Sequence, residues 1–369
     1  MDPDLDRDRD LDLDQLELNP RITAAARRAK VTSARRALTV SGPDLQRITG
    51  LSRADVQQLQ TAAASACRAH TPVPALLLLR GACHRSGPGL GLGPGLGLDP
   101  GLRLSLGCPV LDGLLRGGLP VGLTELSGPS GAGKTQLALQ LCLSVQLPTL
   151  HGGLQSGAVY ICTEASFPIS RLQQLISQQV ELRADLPPDL IRRIQFSDQI
   201  YIEHTADLEA LQLCVTRRVP LLLARGAVRL LVVDSVAALF RSEFQASDWS
   251  ERTRRLLAFG AALRRLSRDF AAPVLCINQV TDVVDGSTPE SLGLVDAKVS
   301  PALGLAWANQ VMVRLMMRRL QGSVAAGDQR SAARSLEVVF APHLERTSRY
   351  CAVWREGVRG VTGHMTHDT

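Results

Sequence analysis

From Leu104 onward the chain alternates short apolar runs with segments whose apolar residues recur every three or four positions. The runs are GLTELS (122–127), AVYICT (158–163), IYIEHT (200–205), VRLLVVD (228–234) and APVLCIN (272–278). Runs this short, nearly continuous in apolar side chains, read as strands buried on both faces. Between them, TQLALQLCLSVQL (135–147) and SERTRRLLAFGAALRRLSRDF (250–270) carry the helical period. In the second, Leu256, Phe259, Leu263, Leu266 and Phe270 share one face, and Arg254, Arg255, Arg264, Arg265 and Arg268 lie beside or opposite it as a solvated arginine face. Shorter strands are expected at the end, in QVMVRLM (310–316), RSLEVVFA (334–341) and RYCAVW (349–354). The alternation predicts an α/β fold whose mostly parallel sheet has antiparallel additions at one side.

Before Leu104 the pattern is different. NPRITAAARRAK (19–30) offers Asn19 as an N-cap and Pro20 at the first helical position. SARRALTV (33–40) and residues 43–48 read as two further short helices. ITGLS then makes a tight turn with Gly50 at its centre, and Ser52 caps a fourth helix. Such a helix-hairpin-helix presents the amides of its glycine turn to a DNA phosphate. A small all-α bundle that binds only protein fits the same pattern equally well. Residues 1–18, where Asp alternates with Leu or Arg, read as a disordered acidic tail. GPGLGLGPGLGLDPGL (87–102) is a run of turn formers that cannot pack a core. The expected organisation is a tail at 1–18, a helical domain at 19–70, a flexible Gly/Pro/Leu linker at 71–103, the α/β core at 104–361 and a second tail at 362–369.

Charge and cysteine content narrow the setting. The net charge of +6 hides a net −6 in residues 1–20, so the remainder carries +12. A basic body suits an anionic partner such as nucleic acid, although a basic balance is also a common means of staying soluble. The eight cysteines are scattered, with no C-x-x-C, and read as reduced core residues of a cytosolic or nuclear protein. No apolar run is long enough to span a bilayer, so no membrane is expected, and no secretory leader is evident.

The chemistry centres on GPSGAGKT. Gly128, Gly133, Lys134 and Thr135 meet every fixed position of the phosphate-binding P-loop, and Pro129, Ser130, Gly131 and Ala132 complete it. With only three lysines among 369 residues, an accidental match is improbable. The flanking strand and helix aim backbone amides and a helix N-terminus at an anion. Lys134 is expected to reach the outer phosphates of ATP, and the Thr135 hydroxyl to ligate Mg²⁺. Asp234 ends the strand LLVVD and is the expected second metal-side group. Glu164 ends the strand AVYICT and suits either activation of a water or a capping or surface role, and Gln279 after VLCIN suits either sensing of the γ-phosphate or, taken alone, a plain polar residue where a buried strand meets a loop.

Read in order, SLGCPVLDGLLRGGLPVGLTELSGPSGAGKTQLALQL, VYICTEASFPISRL, LLVVDSVAALFR and CINQV resemble the RecA-like recombinase family, in its eukaryotic branch with a helical N-terminal domain. LELNPRI, HGGLQSGAVYICTE and SPALGLAWANQ place the resemblance among the recombinase paralogues. The resemblance implies a RecA-like P-loop ATPase core joined to a small helix-hairpin-helix domain, with ATP and Mg²⁺ as cofactors. It puts the P-loop on 128–135, the catalytic glutamate on Glu164 with Lys134, the metal-side aspartate on Asp234 and the DNA-coupled glutamine on Gln279. It implies weak, DNA-dependent hydrolysis in homologous recombination and a heterodimer with recombinase paralogue C. It further implies contact with the main eukaryotic recombinase and its filaments, and with single-stranded and branched DNA such as Holliday junctions. Residence in the nucleus follows from the family, with cytoplasmic and mitochondrial pools left open.

The chain departs from a strand-exchange enzyme in three places. Recombinases of the family polymerise through a linker Phe-x-x-Ala, and no Phe occurs before Phe167. The second DNA loop, 280–300, carries Asp282, Asp285, Glu290 and Asp296 against Lys298 alone, and a net −3 repels a phosphate backbone. The first loop, with Arg241, Phe244, Trp249 and Arg252, is the better DNA candidate, its aromatics serving either base stacking or packing. In FAPHLER (340–346), Phe340 replaces an acidic residue usual in the loop that caps a neighbour's ATP. A self-filamenting recombinase and a non-hydrolysing ATP-bound scaffold are the alternatives to a regulatory ATPase.

Overall fold

The computed structural model describes residues 12–67, 102–245, 248–282 and 299–361. The expected linker up to Gly101, most of the second loop (283–298) and the tail at 362–369 lie outside them. The chain divides into two compact units, residues 1–90 and 91–369.

Four helices build the first unit: Pro20–Arg28, Ala34–Thr39, Gly42–Thr49 and Arg53–Cys67. Each of the first three begins where a short polar side chain satisfies a free amide. Asn19 Oδ1 accepts from Arg21 N–H at 3.0 Å, Ser33 Oγ from Arg36 N–H at 3.3 Å and Ser41 Oγ from Asp44 N–H at 3.3 Å. The third helix ends at Gly50 with φ +70°, a left-handed position that a Cβ makes costly. Ser52 and Asp55 then cap the fourth reciprocally, through Asp55 N–H to Ser52 Oγ at 3.2 Å and Ser52 N–H to Asp55 Oδ2 at 3.3 Å. Ile22, Ala26, Ala34, Ala37, Leu45, Leu59 and Ala63 fill the core.

Residues 12–18, expected in the acidic tail, belong to this unit. Leu13 is fully buried, and its N–H donates to Thr32 O at 3.2 Å. Arg27 pairs with Asp12 at 3.0 Å and also with Asp14. Leu13 sits where Asp alternates with Leu, a pattern that marks no helical face, so only its packing in the helical core reveals its role.

Among the described residues the second unit has thirteen strands, of which nine form one sheet. A small antiparallel pair, β1 (Arg103–Leu104) and β2 (Leu119–Pro120), opens it. The sheet strands are β3 (Gly122–Ser127), β4 (Gly157–Cys162), β5 (Ile200–His204), β6 (Val228–Asp234), β7 (Pro273–Asn278), β10 (Val313–Ala326), β11 (Gln329–Phe340), β12 (Ser348–Val353) and β13 (Val358–Gly360). A separate antiparallel pair joins β8 (Val280–Asp282) to β9 (Val299–Pro301). The sheet runs β13-β12-β11-β10-β3-β7-β6-β4-β5, parallel from β10 to β5 and antiparallel from β10 to β13.

Both faces are covered, which is why the parallel strands read as continuous apolar runs. Along β4, Ala158, Tyr160 and Cys162 face one core with the helix Lys134–Ser144, while Val159 and Ile161 face the other with the helix Trp249–Phe270. On that last helix Leu256, Phe259, Leu263 and Leu266 are buried, and Arg254 and Arg255 reach back to Glu251 in solvent. The terminal strands are not short. β10 and β11 span 14 and 12 residues and form a hairpin that turns at Gly327, φ +57°. Its outer part is mostly exposed and polar, so no apolar run marks it.

Candidate nucleotide site

Every P-loop residue lies at the C-terminal end of β3, and the helix Lys134–Ser144 starts directly from it. The loop's backbone path excludes side chains. A Cβ on Gly128 would sit 2.2 Å from Met317 O, and Gly133 turns with φ +107°. The Lys134 ammonium folds back over the loop, donating to Gly128 O at 2.7 Å and Pro129 O at 2.9 Å. Burial lowers its pKa, against the opposing pull of Asp234 and Glu164.

The two expected metal-side groups meet: Thr135 Oγ1 donates to Asp234 Oδ2 at 2.9 Å across 99 residues of sequence. Tyr160 OH donates to the same oxygen at 2.5 Å. Burial, then the Asp234 charge and hydrogen bond, raises the Tyr160 pKa, so the phenol stays a donor. A hydroxyl beside a carboxylate, facing a glycine cradle for phosphates, is a donor set that suits Mg²⁺, which binds through few protein oxygens and keeps waters and phosphates for the rest. Among the described residues no group of three or more His, Cys, Asp and Glu side chains offers an alternative metal cage.

Glu164 sits at the far side of the same cleft. Its Oε1 accepts from Gln279 Nε2 at 2.6 Å and its Oε2 from Ser235 Oγ at 3.2 Å. A carboxylate has about four lone-pair sites, so capacity remains for a water. Gln279 Oε1 in turn accepts from Arg241 Nη1 at 3.2 Å. The chain Arg241–Gln279–Glu164 joins the end of the helix Val236–Ser242 to the phosphate cleft. The cleft measures about 960 Å³ and gathers the P-loop, Glu164, Asp234 and Gln279.

The first-loop residues divide. Arg241 reaches the cleft through Gln279. Arg252 Nε is held by Phe240 O at 2.8 Å, and the Phe244 ring stacks on Phe240 with centroids 6.4 Å apart, the packing alternative. Trp249 is 69% exposed. Gly50, in the other unit, has nothing within 4 Å of where its Cβ would stand, but its N–H donates to Gln46 O at 2.9 Å and the Leu51 N–H to Thr49 Oγ1 at 3.3 Å, so these amides of the turn are already engaged. Of the second loop, Asp285, Glu290, Asp296 and Lys298 lie outside the described residues. Phe340 is 51% exposed.

Sequence reasoning missed the opposite wall of the cleft. Arg171 donates to Gln136 Oε1 at 2.6 Å and to Trp354 O at 2.6 Å, and Arg334 donates to Ala132 O at 3.0 Å. Asp328, Gln329, Arg330, Val353 and Arg355 line the same side. Tyr160 was also missed. Its only signal is a phenol in an otherwise apolar strand, two places from the end where Cys162 pairs with Asp234.

Comparison with known proteins shows the family of both units. A family model described as Rad51 matches residues 100–360, and one described as an XRCC3/RpoA-like helix-hairpin-helix domain matches residues 13–67. The chain is similar to the DNA repair protein XRCC3 of Mus musculus, 52% identical over 357 residues, covering 96% of this chain and 99% of the mouse protein. It is 54% identical over 350 residues to DNA repair protein XRCC3 of Bos taurus, covering 95% and 98%. The DNA repair protein rhp57 of Schizosaccharomyces pombe is 31% identical over 265 residues, covering 64% of this chain and 73% of that protein.

Proposed function

Since the chain belongs to the Rad51 family, we propose that it is an ATP-binding recombinase paralogue acting in homologous-recombination repair of DNA, with ATP as a switch and slow hydrolysis. The observation that carries this reading is the Arg241–Gln279–Glu164 chain, which ties the start of the first-loop segment to the group placed to activate water. The P-loop amides and Lys134 hold the phosphates, and Thr135 and Asp234 hold Mg²⁺, which when bound neutralises phosphate charge. Glu164 orients the attacking water and accepts its proton. Gln279 is then free to answer the state of the phosphates, and Arg241 relays the change.

The same reading extends to a heterodimer with recombinase paralogue C in the nucleus, binding branched DNA such as Holliday junctions and supporting filaments of the main recombinase. The absence of any Phe before Phe167 supports an accessory role over self-polymerisation. Turnover of ATP with and without single-stranded or branched DNA tests the reading, alone and with paralogue C. Slow, DNA-stimulated turnover that Glu164→Gln abolishes while ATP binding persists is expected. ATP-dependent assembly with no turnover in either protein refutes the switch in favour of a scaffold. Long regular filaments of the chain alone on single-stranded DNA, seen by electron microscopy, refute the accessory role.

A further inference from the structure

The metal-side carboxylate is held from two directions, and only one of them belongs to the P-loop. Thr135 Oγ1 reaches Asp234 Oδ2 at 2.9 Å from the helix Lys134–Ser144. Tyr160 OH reaches the same oxygen at 2.5 Å from β4, the strand beside β6. Cys162 is the register partner of Asp234, so the phenol stretches along its own strand to meet a carboxylate on the next. Asp234 Oδ1 takes no hydrogen bond among the described residues. Both donors therefore load one oxygen and leave the other for a metal ion or its water.

The surroundings of the side chain keep the hydroxyl there. Tyr160 is 1% exposed, so bulk water has almost no access to compete for the bond. Its ring meets the Phe167 ring edge-on, with centroids 5.0 Å apart and planes at 79°. Phe167 is itself buried, in the segment that follows Glu164. The strand ends above the ring are tied as well. Thr163 N–H donates to Asp234 O at 3.0 Å, and Ser235 N–H donates to Thr163 Oγ1 at 2.9 Å. With ring and backbone fixed, the hydroxyl has one place to stand, and the carboxylate turns to meet it. A hydrogen bond from a hydroxyl to a carboxylate at this length is about twice as strong as a neutral one.

A phenol buried in this apolar strand needs an acceptor, and any acceptor meets that need. Here it takes the same carboxylate oxygen that Thr135 uses. We infer that Tyr160 is a positioning residue: it fixes the Asp234 carboxylate in the orientation that accepts from Thr135, so that the pair is preset for Mg²⁺ before nucleotide arrives. Tyr160 does not line the cleft, and acts on it only through Asp234. This rests on the reading of Thr135 and Asp234 as the metal-side groups and adds to it the residue that sets their mutual geometry.

The test reads the metal requirement apart from turnover. ATP is titrated by calorimetry into the full chain, in EDTA and at rising Mg²⁺, for wild type, Tyr160→Phe and Val159→Ala. Tyr160→Phe keeps the ring against Phe167 and removes only the hydroxyl. Val159→Ala opens a cavity in the same strand on its other face and leaves the hydroxyl in place, so it controls for lost stability. In Tyr160→Phe the ATP affinity in EDTA should match wild type. The Mg²⁺ concentration that gives half of the gain in affinity should rise about tenfold, the size of one lost hydrogen bond to a charged group. Val159→Ala should melt earlier with its Mg²⁺ requirement unchanged. A Mg²⁺ requirement in Tyr160→Phe equal to or below that of wild type overturns the inference and leaves the phenol a buried group that found an acceptor. An equal loss of affinity with and without Mg²⁺, or the same rise in Val159→Ala, also overturns it, because the hydroxyl would then act through the stability of the strand. A wild-type chain whose ATP affinity gains nothing from Mg²⁺ overturns the metal reading of Thr135 and Asp234, and this inference with it.

Discussion

Removing the Glu125 carboxylate strikes the strand that carries the P-loop. Glu125 is wholly buried, and Arg314, its register partner on β10, exposes 6% of its side chain. Beside this ion pair, Asn278 Nδ2 donates to Glu125 Oε1 at 2.5 Å and Trp307 Nε1 donates to it at 3.0 Å. Glu125→Leu leaves a buried guanidinium uncompensated and two donors without an acceptor. Breaking a buried pair from one side costs about 3–5 kcal/mol. An orphaned buried donor costs about 1–3 kcal/mol. These overlap in one network, so a total near 5 kcal/mol is expected. Domains have only about 5–15 kcal/mol in all, which brings the core close to its threshold.

The double variant Glu125→Leu/Arg314→Met removes both charges together. It should be less destabilised than Glu125→Leu alone, because no uncompensated charge remains. Urea unfolding followed by the fluorescence of buried Trp307 measures this. With a slope of about 3 kcal/mol per molar, Glu125→Leu should lower the core midpoint by roughly 1.5 M. A shift under about 0.3 M, or a double variant as costly as the sum of its singles, refutes the reasoning.

Further outcomes are as direct. Gly128→Ala puts a methyl 2.2 Å from Met317 O and should lower ATP affinity at least about tenfold, whereas Gly131→Ala meets no atom within 4 Å and should cost only the left-handed backbone strain of about 1–2 kcal/mol. Because burial depresses the Lys134 pKa, the phosphate-binding charge is present at low pH and lost as pH rises through that lowered value. ATP affinity measured upward from pH 7 should therefore fall earlier than for an ordinary lysine, and Lys134→Arg should flatten the profile; a profile identical for both refutes it. Leu13→Ala should destabilise the helical unit by about 2–5 kcal/mol in thermal unfolding, and a loss under about 0.5 kcal/mol would return residues 12–18 to the tail.

The P-loop end of the cleft was legible because its constraints are local. Gly128 is needed where the backbone nearly touches Met317, Lys134 and Thr135 follow from the helix start, and Asp234 and Glu164 from strand ends. Their convergence required only a parallel sheet, which the spacing of apolar runs already implied. The helical unit was legible for the same reason: Asn19, Ser33, Ser41 and Ser52 act on amides two or three residues away.

What the chain did not disclose depends on partners far along it. Glu125 looks like a polar interruption of an apolar strand until β10 brings Arg314 beside it, 189 residues later. Phe244 and Trp249 are equivalent in sequence, and only packing on Phe240 leaves one half-buried against the core while the other stays exposed. Gln329 at the start of β11, Arg334 within it and Arg355 in the turn after β12 are exposed or half-buried, where polar residues carry no period, and their direction is set by how far the hairpin reaches. The sequence by itself determined the elements, their caps and the P-loop backbone, since those forces act within a few residues. The tertiary structure alone decided the buried charge network, the packing of the first loop and the β10-side wall of the cleft, because each is a balance of desolvation and pairing that exists only once distant strands lie side by side.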